Sequence, residues 1–69
     1  MLPNYSPLHP KDFRAKHGLS RQQISIKSKV PPATLKNWLA DSNSDIYREP
    51  SETVKLYFGL LDALESNTL

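Results

Sequence analysis

The sequence predicts a small all-α domain of four helices, at about residues 10–17, 21–28, 32–40 and 51–65. Two observations carry that expectation. Apolar residues recur at helical spacing: Leu35, Trp38 and Leu39 stand at i, i+3 and i+4, and Val54, Tyr57, Phe58, Leu61 and Leu64 fall on one face of a longer segment. Helix start and stop signals bracket these segments, namely Pro10 with Gly18, Ser20 with Gln23, Pro31-Pro32, and Pro50-Ser51. A length of 69 residues allows one core, near the lower limit for independent folding.

Residues 1–9 read as an N-terminal arm, because Pro3, Pro7 and Pro10 interrupt any helix there. Leu2, Tyr5 and Leu8 are expected to fold back on the core. No Lys or Arg precedes Lys11, which favours packing over contact with a polyanion. The first helix opens at Pro10 and stops at Gly18, a natural left-handed C-terminal residue. Phe13 anchors it, Ala15 is small enough to pack, and Lys11, Arg14 and Lys16 stay solvated.

Ser20 and Gln23 form a capping box for the second helix. Ile24 faces inward, Ser25 is small where two helices approach, and Ile26 falls off the inner face. Lys29-Val30-Pro31 is the turn, with Val30 as its apolar plug, and Pro32 opens the third helix. Ala33, Thr34, Lys36 and Asn37 point away from the Leu35–Trp38–Leu39 stripe. They are small, polar or basic, as suits an exposed recognition surface.

Residues 41–50 form a polar loop, after which Ser51 caps the fourth helix. Mid-helix Gly59 costs about 1 kcal/mol relative to Ala, so it predicts a close approach by another helix. Leu56, Leu60 and Leu64 widen the apolar face beyond one packing stripe. That side either covers the first helix and the arm or joins two copies of the chain. Residues 66–69 are expected to fray as a tail.

Composition narrows the function. The chain has no cysteine, hence no disulfide, thiolate ligand or thiol nucleophile. No apolar run approaches the roughly 18 residues of a membrane span, and MLPNYSPLH lacks the basic and apolar regions of a signal peptide. A cytoplasmic protein without a membrane partner is expected. So small a core leaves little room for a preorganised catalytic cleft, and no Ser, His and acid spacing suggests one, so a binding module is expected rather than an enzyme. His9 and His17 lack the i, i+4 spacing of a helical metal pair and read as surface or capping residues. Asp41, Asn43, Asp45 and Glu52 occupy the first, third, fifth and twelfth places of a calcium loop. However, Ile46 replaces the required glycine and Pro50 lies inside, so the segment reads as a polar connection. No metal, cofactor or small-molecule effector is implied.

Charge is sorted along the chain. Residues 1–40 carry seven Lys or Arg against Asp12 alone, a net of +6, while residues 41–69 carry two against six acids, a net of −4. A basic half holding the central helix pair is what a nucleic-acid face backed by a solvated acidic face requires.

The segment Gly18-Leu19-Ser20 leading into Arg21-Gln22-Gln23-Ile24-Ser25, then Lys29-Val30 leading into Pro32-Ala33-Thr34-Leu35 and Trp38, resembles the helix-turn-helix of phage repressor and Cro-like regulators, the xenobiotic-response-element class. Ile24, Ser25, Val30, Leu35 and Trp38 match its apolar and small positions, and the resemblance spans about residues 10–64. Three residues depart from that pattern: Lys29 stands at the usual turn glycine, Ser28 at a usual core leucine, and Pro31 at a usual Ser or Thr cap. The resemblance implies a lambda-repressor-like fold and a transcriptional regulator, a repressor by expectation, with double-stranded DNA as partner and the third helix in the major groove. It implies phosphate contacts from Arg21, Gln22 and Thr34, and base-edge contacts from Ala33, Lys36 and Asn37. A homodimer through Leu56, Leu60 and Leu64 would suit paired half-sites. Two other readings stay open: a protein–protein adaptor on the same scaffold, and the DNA-recognition part of a recombination or transposition complex.

Overall fold

The computed structural model describes residues 5–66. The expectations for Leu2, Pro3 and the tail beyond Ser66 lie outside them. Four helices follow in order: α1 Pro10–His17, α2 Arg21–Ser28, α3 Pro32–Leu39 and α4 Glu52–Ser66. The described residues contain no strand. No helix among them is long and apolar enough to cross a membrane. The protein is thus a small all-helical domain, with boundaries within one residue of those read from the sequence. Ala40 terminates α3 in an extended conformation instead of continuing it. Ser51 lies outside α4 and caps it, its hydroxyl accepting from the Val54 amide at 3.2 Å.

Local chemistry explains each end. The His9 ring accepts from the Lys11 amide at 3.0 Å and serves as N-cap of α1. Gly18 closes that helix at φ 60°. At α2 the Ser20 hydroxyl accepts from the Gln23 amide at 3.1 Å, while the Gln23 side chain accepts from the Ser20 amide at 2.8 Å.

The α2–α3 turn is where the sequence breaks its own pattern. Lys29 adopts φ 64°, a left-handed conformation that costs a side-chain-bearing residue about 1–2 kcal/mol. Hydrogen bonds latch the turn against that strain. The Lys29 amide donates to the Ser25 carbonyl at 2.9 Å, and the Ser25 hydroxyl donates to the Val30 carbonyl at 2.6 Å. The Ser28 hydroxyl donates to the Ile24 carbonyl at 2.7 Å and accepts from the Val30 amide at 3.3 Å. The Tyr57 hydroxyl donates to the Ser28 carbonyl at 2.6 Å. Ser28 is therefore no gap in the core. It is buried and its hydroxyl is satisfied, securing the turn where a leucine would have filled space. Lys29→Gly is expected to relieve the strain and raise stability by about 0.5–1 kcal/mol, a rise in Tm of several degrees in a thermal melt.

Phe13, Ile24, Leu35 and Phe58 are fully buried and form the core. Leu8, Leu19, Val30, Trp38, Leu39, Val54 and Leu61 pack around them. Phe58 is the hub, meeting Phe13 edge-on at 5.4 Å and Trp38 edge-on at 6.2 Å between centroids. Trp38 thus contributes to the core, although it is only partly buried. Three inward assignments are corrected. Tyr57 and Leu64 lie at the rim of α4, 38% and 43% exposed, and Ala15 is exposed. The helical stripe is narrower than the run of apolar residues because Phe58 already spans the gap between α1 and α3.

Gly59 permits a close approach, but by the arm instead of by another helix. A Cβ built there would overlap the Ser6 carbonyl oxygen. The arm continues past this crossing, and the Leu8 amide donates to the Lys55 carbonyl at 2.9 Å. Leu8 packs on the core as expected, while Tyr5 stays exposed.

Candidate nucleic-acid interface

The sorting of charge along the chain becomes a sorting in space only after part of the basic half is neutralised. Lys16 reaches Asp62 at 3.0 Å, Lys27 reaches Glu65 at 2.9 Å, and Lys55 reaches Glu49 at 2.8 Å. His17 also bonds Asp62, at 2.8 Å. Burial raises the Asp62 pKa, but the hydrogen bonds from Lys16 and His17 outweigh it and hold the carboxyl below its ordinary value. Lys11 sits over the Tyr47 ring, its ammonium 4.8 Å from the centroid. Glu49, Asp62 and Glu65 are thus spent on holding neighbouring elements together.

Six cations have no carboxylate partner among the described residues: Lys11, which lies on the Tyr47 ring, Arg48, which bonds the Asp45 and Tyr47 carbonyls, and Arg14, Arg21, Lys29 and Lys36. Three of them converge. Arg14, Arg21 and Lys36 line one open cleft of about 400 Å³, whose remaining wall is Leu39, Ala40 and Ile46. Arg14 is oriented there by its Nε, which donates to the Leu19 carbonyl at 3.3 Å across the α1–α2 junction. Like charges gathered on a partly apolar wall repel one another and raise the local potential, and an anion seated between them relieves both.

A second open cleft, of about 370 Å³, is lined by Ser20, Arg21, Gln22 and Pro32. It brings together the N-terminal ends of α2 and α3. Helix N-termini present amides without intrahelical acceptors, and α3 has no side-chain cap because Pro31 precedes it. Arg21 borders both clefts, so the two are continuous around one side chain.

The residues singled out from the sequence are distributed unevenly over this surface. Arg21 and Gln22 are exposed and adjoin the second cleft, and Lys36 is exposed in the first. Ala33 is exposed in the first turn of α3 but lines neither cleft. Thr34 and Asn37 are half-buried, and the Asn37 carbonyl accepts from the Arg48 amide at 3.0 Å, fastening the 41–50 loop to α3. Asp41, considered above as a calcium ligand, accepts from the Asn43 amide at 2.9 Å and shapes the start of that loop. Leu56 and Leu64 are exposed on α4, with Leu60 half-buried between them.

Two residues of the cleft carried no signal of their own. Arg14 reads as one more solvated basic residue of a short helix, and Ile46 as a stray apolar residue in a polar loop. Their meeting with Arg21 and Lys36 is set by how α1 and the loop pack on the helix pair, and no spacing within the chain encodes that. No protein family, curated protein or solved structure matches this chain.

Proposed function

We propose that this chain is a sequence-specific double-stranded DNA-binding protein, a small transcriptional regulator that acts as a repressor by occupying its operator with α3 in the major groove. The observation that carries the reading is the unneutralised Arg14–Arg21–Lys36 cleft beside the α2–α3 pair, with Asp62 and Glu65 of α4 paired elsewhere. In this reading the α2 and α3 amide ends, Arg14, Arg21 and Gln22 hold backbone phosphates, with Thr34 in support. Ala33, Lys36 and Asn37 face base edges: Ala33 meets a thymine methyl, Lys36 donates to guanine, and Asn37 pairs with adenine. Exposure of Leu56 and Leu64 favours two copies pairing through α4, which suits half-sites about 34–36 Å apart.

Titration with duplex DNA selected from a randomised pool, at two salt concentrations, tests the reading. Affinity is expected to fall steeply with salt. Lys36→Ala combined with Asn37→Ala is expected to erase preference among sequences, each lost base contact removing about 1–3 kcal/mol of discrimination. Absence of salt-dependent binding to any duplex would instead favour an adaptor that uses the α4 face.

A further inference from the structure

One side-chain cluster takes no part in the contacts proposed above. The His9 ring accepts from the Lys11 amide through Nδ1, so Nδ1 carries the lone pair and Nε2 the proton. Nε2 then donates to the Tyr47 hydroxyl at 3.0 Å. That hydroxyl donates onward to Glu49 Oε1 at 2.5 Å, and Glu49 Oε2 is held by Lys55 at 2.8 Å. The His9 and Tyr47 rings lie within 8° of parallel, and the Lys11 ammonium sits over the Tyr47 ring. The chain of bonds therefore joins the start of α1, the 41–50 loop and α4. Tyr47 is the loop residue within it, and its neighbour Ile46 forms a wall of the basic cleft.

We propose that Tyr47 is a positioning residue for that cleft: gripped by His9 and Glu49, it holds Ile46 opposite Arg14, Arg21 and Lys36, and protonation of His9 releases the grip and weakens DNA binding. The release follows from the bonding. An imidazolium keeps its Nε2–H but has no acceptor, so the ring must rotate away from the Lys11 amide that the neutral ring caps, and that rotation takes Nε2 off the Tyr47 hydroxyl. The charged groups around the ring are Lys11 and Asp12 of α1, Glu49 of the loop and Lys55 of α4, with the Tyr47 hydroxyl in contact. Burial lowers the pKa of His9 below its ordinary value, with Lys11 and Lys55 acting in the same direction and Glu49 and Asp12 against. The folded state thus favours the neutral ring. The clamp is intact above the ordinary histidine value of about 6.5 and is lost as pH falls through the lower folded value.

This inference rests on the DNA-binding reading, and the direction of the pH effect separates it from plain electrostatics. Extra positive charge on a DNA-binding protein raises affinity on acidification. The clamp requires the reverse: a loss of at least about fivefold between about pH 7.5 and pH 5, the lower end of ordinary coupling between sites. Tyr47→Phe keeps the ring and removes both hydroxyl bonds, so it should bind DNA weakly at both pH values. His9→Asn keeps a capping acceptor but loses both the titrating group and the bond to Tyr47, so it should bind weakly and show no loss of affinity on acidification. Wild-type affinity that holds steady or rises on acidification overturns the proposal, as does a Tyr47→Phe variant with unchanged affinity. Methyl NMR of the free protein gives a readout without DNA. The Ile46 methyls should titrate together with the His9 ring and cease to do so in Tyr47→Phe. An Ile46 signal indifferent to His9 overturns the clamp even if DNA is bound. Co-titration in a chain that binds no duplex would support the clamp and remove the DNA reading alone.

Discussion

Replacing Arg14 and Arg21 together by alanine is expected to lower affinity for every duplex by about 100-fold while leaving the fold intact. Both side chains are exposed, neither has a carboxylate partner among the described residues, and neither belongs to the core. Their removal therefore costs little stability. Each charge-assisted bond to phosphate is worth about 1.5 kcal/mol or more, and two of them make about 3 kcal/mol, a factor of about 100. The slope of log affinity against log salt should flatten by about 2, because two fewer counterions are released. Preference among sequences should survive, since neither residue faces a base edge in the proposed arrangement. Fluorescence anisotropy over a salt series checks all three expectations. Arg14 is the sharper half of the test, because the helix pair alone does not call for a contact from α1. An unchanged affinity in the Arg14→Ala single variant would remove α1 from the interface.

Gly59→Ala is expected to destabilise the domain by about 1–3 kcal/mol, although alanine is the better helix former. Helix propensity favours the change by up to about 1 kcal/mol. Against it stands the overlap between the new Cβ and the Ser6 carbonyl oxygen, with the Ser6 carbonyl carbon close behind. Both are backbone atoms, so no side chain can swing aside. The arm must lift or α4 must shift, and overpacking of this kind costs about 1–3 kcal/mol before any burial is lost. Lifting the arm would also withdraw Leu8 from the core and break its bond to the Lys55 carbonyl. A fall in Tm of roughly 5–15 °C is expected for a domain of this size. A chain truncated at Pro7 supplies the control: with Ser6 gone, the same substitution should become neutral or mildly stabilising. If Gly59→Ala lowers Tm equally in both backgrounds, the arm is not the cause.

The helices and their ends were legible because they depend on near neighbours in the chain. Pro10, Gly18, the Ser20–Gln23 box and Ser51 each act within four residues, and all are found at the ends they signal. Lys29 stood out only because the resembled pattern has a glycine there, and it does adopt a positive φ. The compensation was not legible, because it draws on Tyr57, 29 residues away from Ser28. Gly59 announced a close contact without saying with what, since a missing side chain names no partner. Leu64 and Tyr57 were drawn inward by periodicity, but periodicity cannot tell how wide a stripe the neighbouring helices cover. At the candidate interface, Arg21 and Gln22 follow from their place at the start of α2, whereas the cleft they border depends on Arg14 and Ile46 meeting in space.

The ion pairs on the α4 side bear on arrival as much as on grip. Asp62 and Glu65 take Lys16 and Lys27 out of circulation there, while Arg14, Arg21 and Lys36 remain without a carboxylate partner around one cleft. The molecule is consequently polarised, with a net charge of only +2. A weak monopole gives little general attraction to a polyanion, but a separated charge distribution exerts a torque on approach. If the chain binds DNA as proposed, it would turn its cleft towards the duplex before touching it, so a larger share of encounters would begin in a productive orientation.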